Sequence, residues 1–498
     1  MSIFFHLQNP KNDADFYYES KCYIFRKSKG GEMNVIWVIA DTLRRDHVGA
    51  YGNKDIITPA IDAFAAKSVR FDRHYIAGFP TMPTRADYLT GRWTMSYMQW
   101  EPLFKDEILL PEILASMGIH TAAVVDTPFY IRNGMNYDQG FRHFTEIPGQ
   151  LNLQWIVDKD TGKGSVVHSI YGGDVKADWR YESDYIAPQT YQKAMHWLER
   201  HYKENFFLYV DGWDPHEPWE PPQHYRELYW PGHDGKQAMP VYGYWPQIPG
   251  ITEELVKKAH ASYCGEVTMV DTWFGYFMKM VENLGLLKNT VIIFTSDHGY
   301  YFGEHDGMLG KMIFARDERG RIKGNGIWSH SPFYEDVTNT PLFIYMPGNK
   351  PGRYEGITSA VDLMPTVLEI MGAAIPDRVQ GRSILPAVKD QSVPGRSYTI
   401  SAHPFINAGE WMKSVDGVNR MTAEDSEATV TTQDWTLLYD TNPGLSKLYN
   451  LESDPNQLKN LINEQPDKAR ELHQLLVDYM METKLAEHLL KPRLELRL

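Results

Sequence analysis

Four short apolar runs, each closing on an aspartate, constrain this chain more than any other feature: Asn34–Asp41, His120–Asp126, Phe206–Asp211 and Thr290–Asp297. Runs of this length without polar alternation suit strands buried on both faces, and Thr340–Met346 reads the same way without the acid. Between them lie stretches with helical spacing: Thr58–Ser68, Arg85–Thr90, Tyr191–Tyr202 and Val267–Leu284. Strands alternating with helices predict an α/β fold, a mostly parallel sheet flanked by helices, with its site at the carboxyl ends of the strands. Taken singly, a strand-terminal aspartate reads as a cap for the next turn. Several of them, in company with the motifs below, favour one shared site.

Three segments follow from the texture of the chain. Residues 1–32 lack periodicity and read as an N-terminal arm; 33–385 read as the α/β domain that carries the motifs below. Residues 386–498 read as a C-terminal subdomain, a small antiparallel sheet (Ser397–Ile400, Ala428–Thr431, Trp435–Tyr439) followed by a helix from about Glu464 to Leu485. The net charge of -14 argues against a general nucleic-acid or membrane-surface partner, because either would repel an acidic face. Two cysteines, Cys22 and Cys264, are too few for a disulfide framework, so reduced thiols are expected. With no apolar leader and no run of membrane-spanning length, the expected location is cytoplasmic.

The chemistry gathers at three places. Asp41 leads into Thr42-Leu43-Arg44-Arg45-Asp46, and Thr295-Ser296-Asp297-His298-Gly299 ends another buried run in a turn-permitting glycine. Two carboxylates and an imidazole can hold a divalent cation, although either fragment alone is more often a turn. Thr81-Met82-Pro83-Thr84-Arg85 places a hydroxyl and a proline ahead of a helix start, where unpaired N–H groups and the dipole favour an anion. Such a position suits a nucleophile.

From about Asn34 to the C-terminal helix the sequence resembles the sulfatase family of the alkaline phosphatase superfamily. The resemblance rests on ordered motifs: Asp-Thr-Leu-Arg-Arg-Asp from Asp41, the Thr81–Arg92 segment, Pro215-His216-Glu217-Pro218, Ser296–Gly299 leading through Gly303-Glu304-His305 to Gly310-Lys311, Val361–Thr366, Gly381–Pro386 and Leu448–Pro455. It implies an alkaline-phosphatase-like fold, one divalent metal ion on Asp41, Asp297, His298 and Thr81, and Thr81 at the nucleophile position. It further implies that Arg85 orients the nucleophile and that His216 and Lys311 bind the transferred group's oxygens or protonate the leaving group. Read without that context, His216 is a packed loop histidine and Lys311 a solvated charge. His305, Glu335 and Asn339 are secondary candidates.

Two departures from the family pattern bear on substrate. Typical sulfatases carry a cysteine or serine at the Thr81 position, oxidised to formylglycine, and threonine cannot be that precursor. Phosphoryl transfer suits an unmodified threonine better. The segment Val124–Tyr130 replaces a Lys-x-His pair of many sulfatases, which makes Asp126 and Thr127 candidate substrate contacts. The Asp297-His298 pair is closest in flavour to phosphonate monoester hydrolases and phosphodiesterases, and the metal can be Mn, Zn or Ca.

The expected activity is therefore a metal-dependent hydrolase of small anionic esters, phosphodiesters or phosphonate monoesters, with homo-oligomer formation left open. Two alternatives stand beside it: a sulfate ester hydrolase without formylglycine, and a catalytically silent anion-binding protein. Residues Met312–Pro332, with Arg316, Arg319, Arg321 and Lys323, read equally as a solvated loop or as a lid or subunit contact.

Overall fold

The computed structural model describes residues 33–126, 131–132, 134–147, 180–235, 242–313, 332–405 and 427–498, with the backbone alone for 153–157, 164–168, 314, 328–330, 411–413 and 419–421. The N-terminal arm, Thr127 and most of the Met312–Pro332 segment lie outside them.

The apolar runs become strands of one sheet: β1 (Asn34–Ala40), β2 (Val69–Phe71), β3 (His120–Asp126), β4 (His143–Ile147), β5 (Phe206–Gly212), β6 (Thr290–Thr295), β7 (Leu342–Tyr345) and β8 (Gly352–Tyr354). Their spatial order is β8-β2-β7-β6-β1-β5-β3-β4. β1 pairs in parallel with both β6 and β5, and β7 alone runs against its neighbours. The missing alternation has the expected cause. On β1, Val35, Trp37 and Ile39 enter one apolar cluster while Ile36, Val38 and Ala40 enter the other, so both faces are dry. Helices Ile186–His201 and Glu253–Asn283 cover the second face, and helices Thr81–Thr90 and Leu363–Ile370 the first.

A second sheet, β9 (Tyr398–Ala402), β10 (Ala428–Thr432), β11 (Trp435–Tyr439) and β12 (Lys447–Asn450), is an antiparallel meander. Helix Pro466–Glu482 packs on it through Leu472, Leu476 and Met480. This sheet shares the first cluster with the main one, and β9 reaches the catalytic end directly: Phe79 N–H donates to Ala402 O at 3.0 Å and Ala402 N–H to Ala77 O at 2.9 Å. The segment leading into Thr81 is thus fixed by the C-terminal sheet. Among the described residues no helix is long and apolar enough to cross a membrane.

Candidate active site

The carboxyl ends of β1, β5 and β6 lie side by side, with Ile39 in register with both Asp211 and Thr295. That register brings Asp41, Asp211 and Asp297 together around one guanidinium. Arg85 donates to Asp211 through Nε (2.9 Å) and Nη2 (2.7 Å) and to Asp297 Oδ2 through Nη1 (2.8 Å), and Nη1 lies 3.0 Å from Asp41 Oδ2. It also donates to the Thr81 carbonyl at 3.2 Å. Burial opposes its charge, but the three carboxylates outweigh that and hold the guanidinium protonated, well above its ordinary range.

Helix Thr81–Thr90 begins at Thr81 itself, one turn earlier than the apolar spacing from Arg85 suggests. Prolines are tolerated in a first turn because its N–H groups have no intrahelical partner, which is why Pro83 does not delay the start. Thr81 Oγ1 stands 3.2 Å from His298 Nε2. Nδ1 of His298 donates to Gly299 O at 3.0 Å, and that bond fixes the tautomer and leaves the Nε2 lone pair facing Thr81. Burial first, then the Lys311 charge, pushes this imidazole down to about 3, so it is neutral at physiological pH. Gly299 has no room for a side chain: a Cβ there would meet Asp336 O at 1.9 Å.

The turn after β1 is strained. Thr42 has φ 63, rare for a β-branched residue, and is held there by its hydroxyl on Asp41 Oδ1 (2.7 Å) and its N–H on Asp297 Oδ1 (3.0 Å). Behind it Arg44, buried, ties Asp46, Glu304 and Asp336 together.

These residues fit a divalent cation. The ligand atoms of Asp41, Asp297 and His298 lie within 4.8 Å of one another in a fully buried setting. Asp41 Oδ2, although at ion-pair distance from Arg85, has no hydrogen-bond partner among the described residues. Three buried carboxylates around one guanidinium carry an excess negative charge that a dication offsets.

His216 and Lys311 also meet. Lys311 Nζ lies 2.8 Å from His216 Nε2 and 3.2 Å from Glu217 Oε1, while His216 Nδ1 donates to Glu217 O at 2.6 Å. Burial pushes the Glu217 carboxyl up, but His216, Lys311 and the Tyr242 hydroxyl outweigh it and leave it below the usual range. Lys311 is delivered by the short strand Met308–Gly310, which pairs with Tyr301–Phe302. Lys311 and His216 both disfavour a positive charge on His298.

Asp126, a candidate substrate contact from sequence, ends β3 with its carboxylate buried. That carboxylate accepts from Trp213 N–H (3.0 and 3.1 Å) and from the Thr190 hydroxyl (2.9 Å), so it anchors the loop that leads to His216. Among the secondary candidates, His305 stacks on Tyr334 and bonds Asp336 at 2.8 Å, and Asn339 bonds Glu335 at 2.8 Å. Asp211 and Glu217 were not singled out as site residues from sequence, although one ends a flagged strand and the other lies inside the Pro215–Pro218 motif.

Comparison with known proteins agrees with this architecture. The family profile described as Sulfatase matches residues 33–373, and that described as N-sulphoglucosamine sulphohydrolase, C-terminal, matches 325–485. An arylsulfatase of Clostridium perfringens is 26% identical over 500 residues, covering 90% of this chain and 92% of its own. An N-acetylglucosamine-6-O-sulfatase of Bacteroides thetaiotaomicron is 22% identical over 537 residues, covering 92% and 88%. The solved phosphonate monoester hydrolase from Silicibacter pomeroyi shares the fold with a TM-score of 0.69 at 20% identity, over 91% of this chain and 96% of that one. Fold and site define a hydrolase of the alkaline phosphatase superfamily. Within it, the chain belongs to the sulfatase family.

Proposed function

We propose that this chain is a single-cation phosphoesterase of the sulfatase family, cleaving phosphodiesters or phosphonate monoesters with Thr81 as nucleophile. One observation carries the reading: a threonine hydroxyl at the first position of a helix, 3.2 Å from His298 Nε2 within the buried Asp41, Asp297 and His298 cluster. Threonine cannot become formylglycine. A sulfated threonine would have to be hydrolysed at sulfur, whereas a phosphothreonine is open to water at phosphorus.

Asp41, Asp297, His298 and Thr81 Oγ1 would hold a divalent cation, which would supply positive charge toward the hydroxyl and the ester oxygens. Mn, Zn and Ca all accept oxygen and imidazole donors. Arg85 locks the start of the nucleophile's helix against the strand ends. After Thr81 loses its proton to solvent, the Oγ1–P bond forms as the bond from phosphorus to the leaving oxygen breaks. That oxygen takes a proton from the Lys311–His216 pair, which Glu217 orients. Water then attacks phosphorus and returns its proton to that pair as the P–Oγ1 bond breaks, and Thr81 takes up a proton from solvent.

A second reading, hydrolysis of sulfate esters by direct water attack, is favoured by the names of the arylsulfatase and N-acetylglucosamine-6-O-sulfatase relatives. Rates on aryl phosphodiesters, phosphonate monoesters, phosphate monoesters and aryl sulfates, each with Mn, Zn and Ca, separate the two. The proposal expects the highest kcat/KM on a diester or phosphonate. Preference for sulfates establishes the second reading, and inactivity on every ester leaves an anion-binding protein.

A further inference from the structure

We propose a second metal site, for a zinc-class cation, formed by His47, His260 and Cys264 and independent of the hydrolytic centre. His260 and Cys264 are four residues apart on helix Glu253–Asn283, so they share one face. His47 arrives from the turn after β1. Its Nε2 lies 2.8 Å from His260 Nε2, and Cys264 Sγ lies 3.5 Å from the same nitrogen. One ligand atom from each residue falls within a 4.8 Å cluster.

Tautomer chemistry points to a cation here. His47 Nδ1 lies 2.8 Å from Asp46 Oδ1, and a carboxylate acceptor there requires the proton on Nδ1. With that proton on Nδ1, Nε2 of His47 is left facing a second ring nitrogen. A carboxylate behind a histidine whose other nitrogen faces outward is the arrangement that orients metal-binding imidazoles. With zinc at about 2.0–2.1 Å from nitrogen and about 2.3 Å from sulfur, tetrahedral geometry sets a sulfur-to-nitrogen separation of about 3.6 Å, which matches. The two nitrogens would open by roughly 0.5 Å, a small adjustment of the half-buried His260.

Two imidazoles and a thiolate are borderline-soft donors that select zinc over calcium or magnesium. Burial of the Cys264 thiol pushes its titration up, so binding would displace its proton. The cation would staple the turn containing Arg44 and Asp46 to the long helix, next to Tyr263, whose hydroxyl already donates to Thr42 O at 2.9 Å.

The test uses the full chain with Cys22→Ser as background, stripped of metal and titrated with Co2+. The proposal expects two equivalents bound and a cobalt-thiolate charge-transfer band in the near ultraviolet. Cys264→Ser should remove that band and one equivalent, while Asp297→Asn should remove the other equivalent and keep the band. His260→Ala provides the same readout if circular dichroism finds Cys264→Ser misfolded. Absence of the band before Cys264 is changed, or its survival in Cys264→Ser, overturns the site and leaves His47 and His260 joined by an ordinary ring-to-ring hydrogen bond.

Discussion

Asp297 and Asp126 each close a buried apolar strand, and both side chains are fully buried, yet their surroundings differ in charge. Asp297 lies next to Asp41 across the β6-β1 pair and shares the Arg85 guanidinium with Asp41 and Asp211. Asp126 ends β3, two places beyond β1 in the sheet order, and accepts from the Trp213 N–H and the Thr190 hydroxyl. Burial, with the charges of Asp214 and Asp211 adding, pushes its carboxyl well above the ordinary aspartate range. The same local sequence signal therefore yields an acid cluster around the Arg85 guanidinium at Asp297, and a carboxylate that fastens Trp213 and Thr190 at Asp126.

The largest effect should come from the residue that the Asp297 cluster serves. Thr81→Ala is expected to fold, because a cap-type hydroxyl is worth at most about 1–2 kcal/mol. It should keep its metal and lose on the order of 10⁴-fold or more in kcat/KM, while Thr81→Ser retains part of the activity. Asp297→Asn or His298→Ala should lower bound metal, measured by elemental analysis, together with kcat/KM by roughly 10³-fold. Unchanged metal stoichiometry in both would remove them from the ligand set. Lys311→Ala should reduce kcat by about 10²-fold with metal content and circular dichroism unaltered, since its charge matters most as negative charge builds on the leaving oxygen. A kcat near wild type would return Lys311 to a packing role.

The smallest effect belongs to the other half of the comparison. Asp126→Asn should keep metal content and stay within about tenfold of wild-type kcat/KM, because an amide oxygen still accepts from Trp213 N–H. Its signature is in stability. The folded wild type binds the Asp126 proton more tightly than the unfolded chain, so this group lowers stability as pH rises above its ordinary value of 3.8. Melting temperatures of the two proteins should diverge in favour of Asp126→Asn as pH rises from that point. Divergence in the opposite sense would mean that the folded protein favours the Asp126 carboxylate over its acid.

Much of this was legible in the chain itself. The apolar runs without alternation foretold strands with two dry faces, and the Asp297-His298-Gly299 turn combined ligands with a glycine that close packing demands. Strand order was not legible, because each run is equally apolar and carries no mark of its neighbours; that order decides whether Asp126 or Asp211 joins Asp41. The early start of the Thr81 helix was obscured for a similar reason, since its first turn is defined by backbone geometry and not by apolar spacing. Glu217 became visible only when folding brought Lys311 across from a separate hairpin. The Met312–Pro332 segment, read as either a solvated loop or a lid, lies mostly outside the described residues.

The most direct measurement asks whether Thr81 carries the transferred group. Wild-type protein is mixed with a slowly cleaved aryl phosphodiester or phosphonate monoester, quenched in acid within the first turnover and digested, and the peptide containing Thr81 is weighed by mass spectrometry. The account predicts a phosphorylated or phosphonylated Thr81 that appears with the first leaving group released and decays as the second product forms. An unmodified Thr81 peptide throughout turnover, with Thr81→Ala cleaving the same ester at the wild-type rate, would contradict it and make water the attacking group.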